Sequence, residues 1–119
     1  MEQQQEEKQL PWVPLEKMEQ LEQIMERSRQ RPQLIYKHSA TCGISSMVLR
    51  SFNASLDPQW DCDMYFLTIQ ANRGLSREVE ASFGVRHESP QLLILRQGET
   101  IFHTSHGAIA HADLTSYIK

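Results

Sequence analysis

The chain has 119 residues, 39% of them hydrophobic and 23% charged, with a formal net charge of −3 at pH 7. This is one domain's worth of sequence with a modest core and a globular composition, and the negative charge argues against nucleic acid as a partner. No apolar stretch approaches a membrane span, and the polar, acidic residues 1–9 are unlike a secretory signal, so no membrane association and a cytoplasmic location are expected. Two cysteines, Cys42 and Cys62, cannot staple a secreted scaffold and lack metal-ligand spacing.

Residues 1–9 are rich in Glu and Gln and read as a disordered tail, followed by a domain over residues 10–119. Trp12 is a candidate core anchor, and Pro14 suits the first position of a helix. Leu15, Met18, Leu21, Ile24 and Met25 then recur at helical spacing. The cluster Arg27, Arg29 and Arg31 closes that helix, where cations complement the helix dipole. Leu34, Ile35 and Tyr36 form a short apolar run after Pro32 and predict a buried strand over residues 33–36. Ile44, Met47, Val48 and Phe52 predict a helix to about Ser55, broken by Asp57-Pro58-Gln59. Residues 64–69 are rich in β-formers and predict a second strand. Leu75, Val79 and Phe83 predict a short helix stopped by a left-handed Gly84. Residues 91–95 and 99–104, joined at Gln97-Gly98, predict a hairpin, and residues 112–118 a last helix.

Chemistry concentrates at the first strand-to-helix junction. Cys42 falls between the strand and the helix that starts near Ile44, where free backbone N–H groups and the helix dipole favour thiolate over thiol. Thr41 and Gly43 flank it. Three residues on, where a redox dithiol would carry its second cysteine, stands Ser45, so exchange must pass through an intermolecular disulfide. Ser45 is either a donor to the thiolate or an ordinary first-turn serine. Lys37 and His38 end the strand that delivers the thiol, and strand alternation sends them to opposite faces. At most one of them should bring positive potential to the sulfur, and His38 has the alternative of a hydrogen-bonded, half-buried residue. The five histidines form no recognisable metal site. Cys62 is expected at the opposite end of the sheet from Cys42, beyond the reach of a disulfide.

The predicted order, α-β-α-β-α-β-β-α, makes this an α/β chain with the thioredoxin-like fold, its first strand missing or vestigial and a mixed four-stranded sheet flanked by helices. Ser89-Pro90, just before the hairpin, stands where that fold keeps a cis-proline facing the thiol. The residue before such a proline can pair its backbone with an incoming peptide, like an added strand. Gly107 falls where a close backbone approach to the thiol is expected.

A narrower resemblance rests on Trp12, Tyr36-Lys37-His38-Ser39, Cys42-Gly43-Ile44-Ser45-Ser46-Met47, Phe83-Gly84-Val85, His87-Glu88-Ser89-Pro90-Gln91 and Ser105-His106-Gly107-Ala108-Ile109. Together these resemble the bacillithiol-system redox-active protein family, the monothiol, bacilliredoxin-like members of the thioredoxin superfamily. The resemblance implies a thiol–disulfide exchange protein needing no bound cofactor, with bacillithiol or a similar small thiol as co-substrate and S-thiolated proteins as partners. It implies Cys42 as the exchanging thiol, and places His87 and His106 in the loops around it. Cys42-Gly43-Ile44-Ser45 is also similar to the Cys-Gly-Phe-Ser site of monothiol glutaredoxins, which implies an iron–sulfur carrier as an alternative. A third reading is a redox-inactive module that keeps the fold and binds a partner at the Pro90 groove.

Overall fold

The computed structural model describes residues 10–57 and 59–118. The expected tail at residues 1–9 and the helix-breaking Pro58 lie outside them. In chain order the elements are β1 (Trp12–Pro14), α1 (Glu19–Arg27), β2 (Gln33–His38), α2 (Gly43–Ser55), β3 (Asp63–Thr68), a 3-10 turn (Ile69–Ala71), α3 (Arg73–Phe83), β4 (Gln91–Arg96), β5 (Glu99–Ser105), a 3-10 segment (His106–His111) and α4 (Thr115–Ile118). The strands form one sheet in the order β1-β3-β2-β4-β5. β1, β3 and β2 run parallel, whereas β4 and β5 are antiparallel additions.

β2 and β4 occupy the middle of the sheet and are covered on both faces, so each reads as a continuous apolar run rather than an alternation. Alternation within β2 sorts its side chains between two cores. Ile35 joins Leu21 and Ile24 of α1 and Leu75, Val79 and Phe83 of α3 on one face. Leu34 and Tyr36 join Val48 and Phe52 of α2, with Ile109, Leu114 and Ile118, on the other. β5 is an edge strand and alternates between exposed and half-buried positions.

The sheet has five strands, not the four expected, because the first strand is present. β1 is only three residues long and ends in proline, too short for a period-two pattern to show. An edge strand needs partners on one side only, which is where proline is tolerated. Pro14 therefore closes β1 rather than opening a helix. The Leu15 amide donates to the Phe66 carbonyl (2.8 Å), and Leu15 enters the core from the connection ahead of α1. Trp12 holds β1 against the α2 face. Its ring packs on Tyr36, Phe52 and Phe66, and its Nε1 donates to Asn53 Oδ1 at 3.0 Å.

Gly84 ends α3 with φ 71°, the left-handed stop read from the sequence. The hairpin turn at Gln97 and Gly98 has φ positive at both residues, the geometry that matches the twist of two antiparallel strands. It is docked from outside the sheet. The fully buried Ser28, at the end of α1, accepts the Gln97 amide on its carbonyl (2.7 Å) and the Gly98 amide on Oγ (2.9 Å). The last predicted helix, residues 112–118, is shorter than expected and is preceded by a 3-10 segment. That segment runs to His111, and α4 starts at Thr115, whose amide donates to Asp113 Oδ1 (3.1 Å).

Candidate active site

The register brings four chain segments to one end of the sheet. His38 pairs with Thr68, so the loop after β2 and the 3-10 turn after β3 are neighbours. Lys37 pairs with Gln91 and Gln91 with Ser105, which sets the Pro90 turn and the His106–His111 segment beside them. Residues 39–42, 69–71, 89–90 and 106–107 thus surround the entry to α2.

Cys42 is the N-cap residue of α2. Its backbone is extended (φ −109°, ψ 120°) while its carbonyl already accepts the Ser46 amide (3.2 Å). The side chain is half-buried, and the first-turn N–H groups that lack helical partners open toward it. Gly43 and Ile44 are exposed beside it.

Ser45 is fully buried and its hydroxyl is already engaged. Oγ accepts the Ser39 amide (3.2 Å) and lies 3.2 Å from His38 Nδ1. Burial lowers the pKa of His38, which favours the neutral ring, and its tautomer sets which partner donates in the contact with Ser45. Ser45 therefore ties the thiol loop to β2 and α2. His38 reaches the thiol loop through that tie, with its ring against Phe66.

Lys37 points to the other face, as alternation requires. It is fully buried, with Nζ donating to the Ser76 carbonyl (3.3 Å) and standing 3.2 Å from His87 Nδ1. Desolvation lowers its pKa to about 8, against an opposing pull from Glu80. His87 is also lowered, by burial and by the Lys37 cation. Lys37 and His87 thus join β2 to α3 at Ser76, on the face opposite His38 and Ser45.

Ser89-Pro90 is a cis peptide. Ser89 is half-buried, Pro90 buried, and the Pro90 carbonyl accepts the His106 amide (2.9 Å). Glu88 latches the same corner, accepting the Ser105 hydroxyl and facing His106 Nε2 at 3.3 Å. A groove of about 330 Å³ with Arg86, Gln91, His103 and Ala108 on its walls borders this turn. The left-handed residue here is His106 (φ 56°), not Gly107. A Cβ at Gly107 would meet nothing within 4 Å, so the chain's own packing does not demand glycine there.

One residue at the site went unread in the sequence. Gln70, in the 3-10 turn after β3, accepts the Ala40 amide on Oε1 (2.9 Å) and donates Nε2 to Ser39 Oγ (2.8 Å) and Thr41 Oγ1 (3.2 Å). A polar residue just after a strand carries no spacing signal of its own, and only the sheet register sets it against the thiol loop.

Cys62 lies at the far end of the sheet, just before β3, and is buried with Sγ donating to the Asp63 carbonyl (3.4 Å). Burial and the Asp63 carboxylate push its pKa up to about 12, which makes it a poor nucleophile. Both cysteines are free. Among the described residues no group of three or more metal-ligating side chains converges, and no helix is long and apolar enough to cross a membrane.

A half-buried cysteine capping a helix, a cis-proline turn at the same sheet end, and no second thiol in the helix's first turn define a thioredoxin-fold redox protein of the monothiol type. The family profile described as monothiol bacilliredoxin BrxC matches residues 13–114, and the chain belongs to that family. It is similar to a solved structure provisionally described as an oxidoreductase with a thioredoxin fold, at 32% identity and TM-score 0.77, covering 92% of this chain and 95% of the other. More distant likenesses show the fold alone. Thioredoxin O2 from Arabidopsis thaliana has 17% identity and TM-score 0.70 over 92% of this chain and 96% of its own. The Malassezia sympodialis thioredoxin has 17% identity and TM-score 0.66 over 88% and 85%.

Proposed function

We propose that the protein removes a low-molecular-weight thiol of the bacillithiol type from S-thiolated proteins, through a mixed disulfide on Cys42. The observation that carries this reading is Cys42 at the cap of α2, with the buried Ser45 where a resolving thiol would stand. The Cys42 thiolate attacks the small thiol's sulfur in the protein mixed disulfide. The existing S–S bond breaks, and its electron pair leaves with the protein's cysteine, which takes up a proton. Cys42 now carries the small thiol. With no internal thiol to displace it, the adduct waits for a second small thiol, which leaves as the symmetrical disulfide and restores Cys42. No bound cofactor enters these steps, and a reducing cytoplasm supplies the second thiol.

The test is the intact mass of each variant after exposure to bacillithiol disulfide or glutathione disulfide. The parent and Cys62→Ser should each gain one thiol equivalent, and Cys42→Ser should gain none. Uptake by Cys42→Ser as fast as by the parent would overturn the reading.

A further inference from the structure

We infer that Gln70 is the positioning residue of the exchanging thiol: its side-chain amide fixes the three residues before Cys42 and so sets the line along which the sulfur meets a disulfide. The inference rests on Cys42 being the exchanging thiol.

Cys42 Sγ has no side-chain hydrogen bond to cap its helix, so the sulfur is placed by the backbone, held by α2 on one side and by residues 39–41 on the other. That loop has weak support of its own, a single long Cys42 amide to Ser39 carbonyl contact at 3.5 Å. Besides the Ser39 amide bond to Ser45 Oγ, its side-chain support comes from Gln70. Its Oε1 takes the Ala40 amide, and the Nε2 hydrogens are directed to the hydroxyls of Ser39 and Thr41. Three consecutive residues are held by one side chain, which uses its acceptor and both donors together. A primary amide suits this task, because the loop presents one N–H to be accepted and two hydroxyl oxygens that can accept.

The tie is also oriented. Ser45 holds Ser39 from the α2 side, and Gln70 holds Ser39, Ala40 and Thr41 from the β3 side. The loop is pinned between two elements that the sheet and core keep fixed. Disulfide exchange requires the attacking sulfur to line up with the bond it breaks, and small misplacements of a reacting group are costly in rate. Alkylation by a small neutral reagent makes no such demand, because the reagent can approach an exposed thiol from many directions. Loss of the tie should therefore separate the two reactions.

The experiment uses the full chain carrying Cys62→Ser, so that Cys42 is read alone. The probe is a peptide whose cysteine is in mixed disulfide with thiopyridine, and thiopyridone release gives the exchange rate. Iodoacetamide alkylation and thermal melting are measured alongside. Gln70→Ala should slow exchange by about tenfold while alkylation changes by less than about threefold. Ser39→Ala combined with Thr41→Val, which keeps the Ala40 bond, should slow exchange by a smaller factor. The same pair should have no further effect in the Gln70→Ala background, since the bonds it removes are already gone. A lowered melting temperature with unchanged exchange would show Gln70 to be structural only, and additive effects of the two sets would show that the loop partners act independently; either overturns the inference. Should Gln70→Ala not fold, the Ser39→Ala, Thr41→Val variant decides the matter: parental exchange in it overturns the inference. Thiopyridone release from Cys42→Ser equal to that of the parent would instead overturn the exchange function itself.

Discussion

Ser45 shows how one oxygen in place of sulfur decides what the site can do. Its hydroxyl accepts the Ser39 amide and faces His38, so it stabilises the loop and cannot resolve a disulfide on Cys42. A thiol at the same place would sit one helical turn from Cys42, the spacing of a dithiol redox site. Ser45→Cys should accordingly form an internal disulfide on oxidation, losing two hydrogens in intact mass and trapping little small-thiol adduct. Persistence of the full adduct on Ser45→Cys would show that the two positions cannot meet. The buried location of Ser45 also means that the new cysteine replaces a hydroxyl that accepts the Ser39 amide by a weaker sulfur acceptor, so a modest loss of stability, about 1 kcal/mol, should accompany the gain of chemistry.

Among the elements, α3 and its stop show sequence signal and structure coinciding. Gly84 holds φ 71° in open space, where a Cβ would meet nothing within 4 Å. Gly84→Ala should thus destabilise by about 1 kcal/mol through backbone conformation alone, read as a lower urea midpoint with an unchanged slope. A changed slope would point to rearrangement of the α3 end instead. β1 and α1 behave differently. Pro14 has the fixed φ of a helix start and also fits a sheet edge, so local preference leaves both open. The Phe66 carbonyl and the Trp12 contacts with Phe66 and Asn53, each made across more than 40 residues, decide for the strand.

For the whole molecule, several titratable groups with shifted pKa values combine into one pH profile of stability. His38 and His87 are depressed below 6.5, so the unfolded chain binds more protons there and stability is lost on acidification. Asp63 adds to the loss at lower pH. Burial raises its carboxyl, but hydrogen bonds from Arg27 and Gln33 outweigh that and hold it below 3.8. Lys37 works on the alkaline side. Its folded value of about 8 lies below the ordinary 10.5, so the cost of burying the cation is relieved as pH rises from 8 toward 10.5. The gain is on the order of 2 kcal/mol, after allowing for solvent screening. Cys62 opposes it above 9.0, because its thiol is held protonated to about 12, and the raised Tyr36 and Tyr65 follow above 10.0. The urea midpoint should therefore keep rising past pH 8 and reach its maximum near pH 9. Lys37→Met should be more stable than the parent at pH 7 and lose the rise between pH 8 and 9. A parent midpoint that is flat or falling from pH 7 to 9 would contradict this account of Lys37.

The sequence by itself determined the features that short-range chemistry specifies. A thiol at a strand-to-helix junction, a serine three residues on, a Ser-Pro step before a hairpin and a glycine stop are all local patterns, and each fixes backbone geometry within a few residues. The apolar runs likewise determined β2 and β4, because a strand buried on both faces has only one composition open to it. Tertiary structure alone decided the rest. It added β1, joined Lys37 to Ser76 and His87, and set Gln70 against the thiol loop. Each of these depends on a partner 30 or more residues away in the chain. Such a partner is chosen by sheet register and burial, and leaves no periodicity or spacing in the segment it joins.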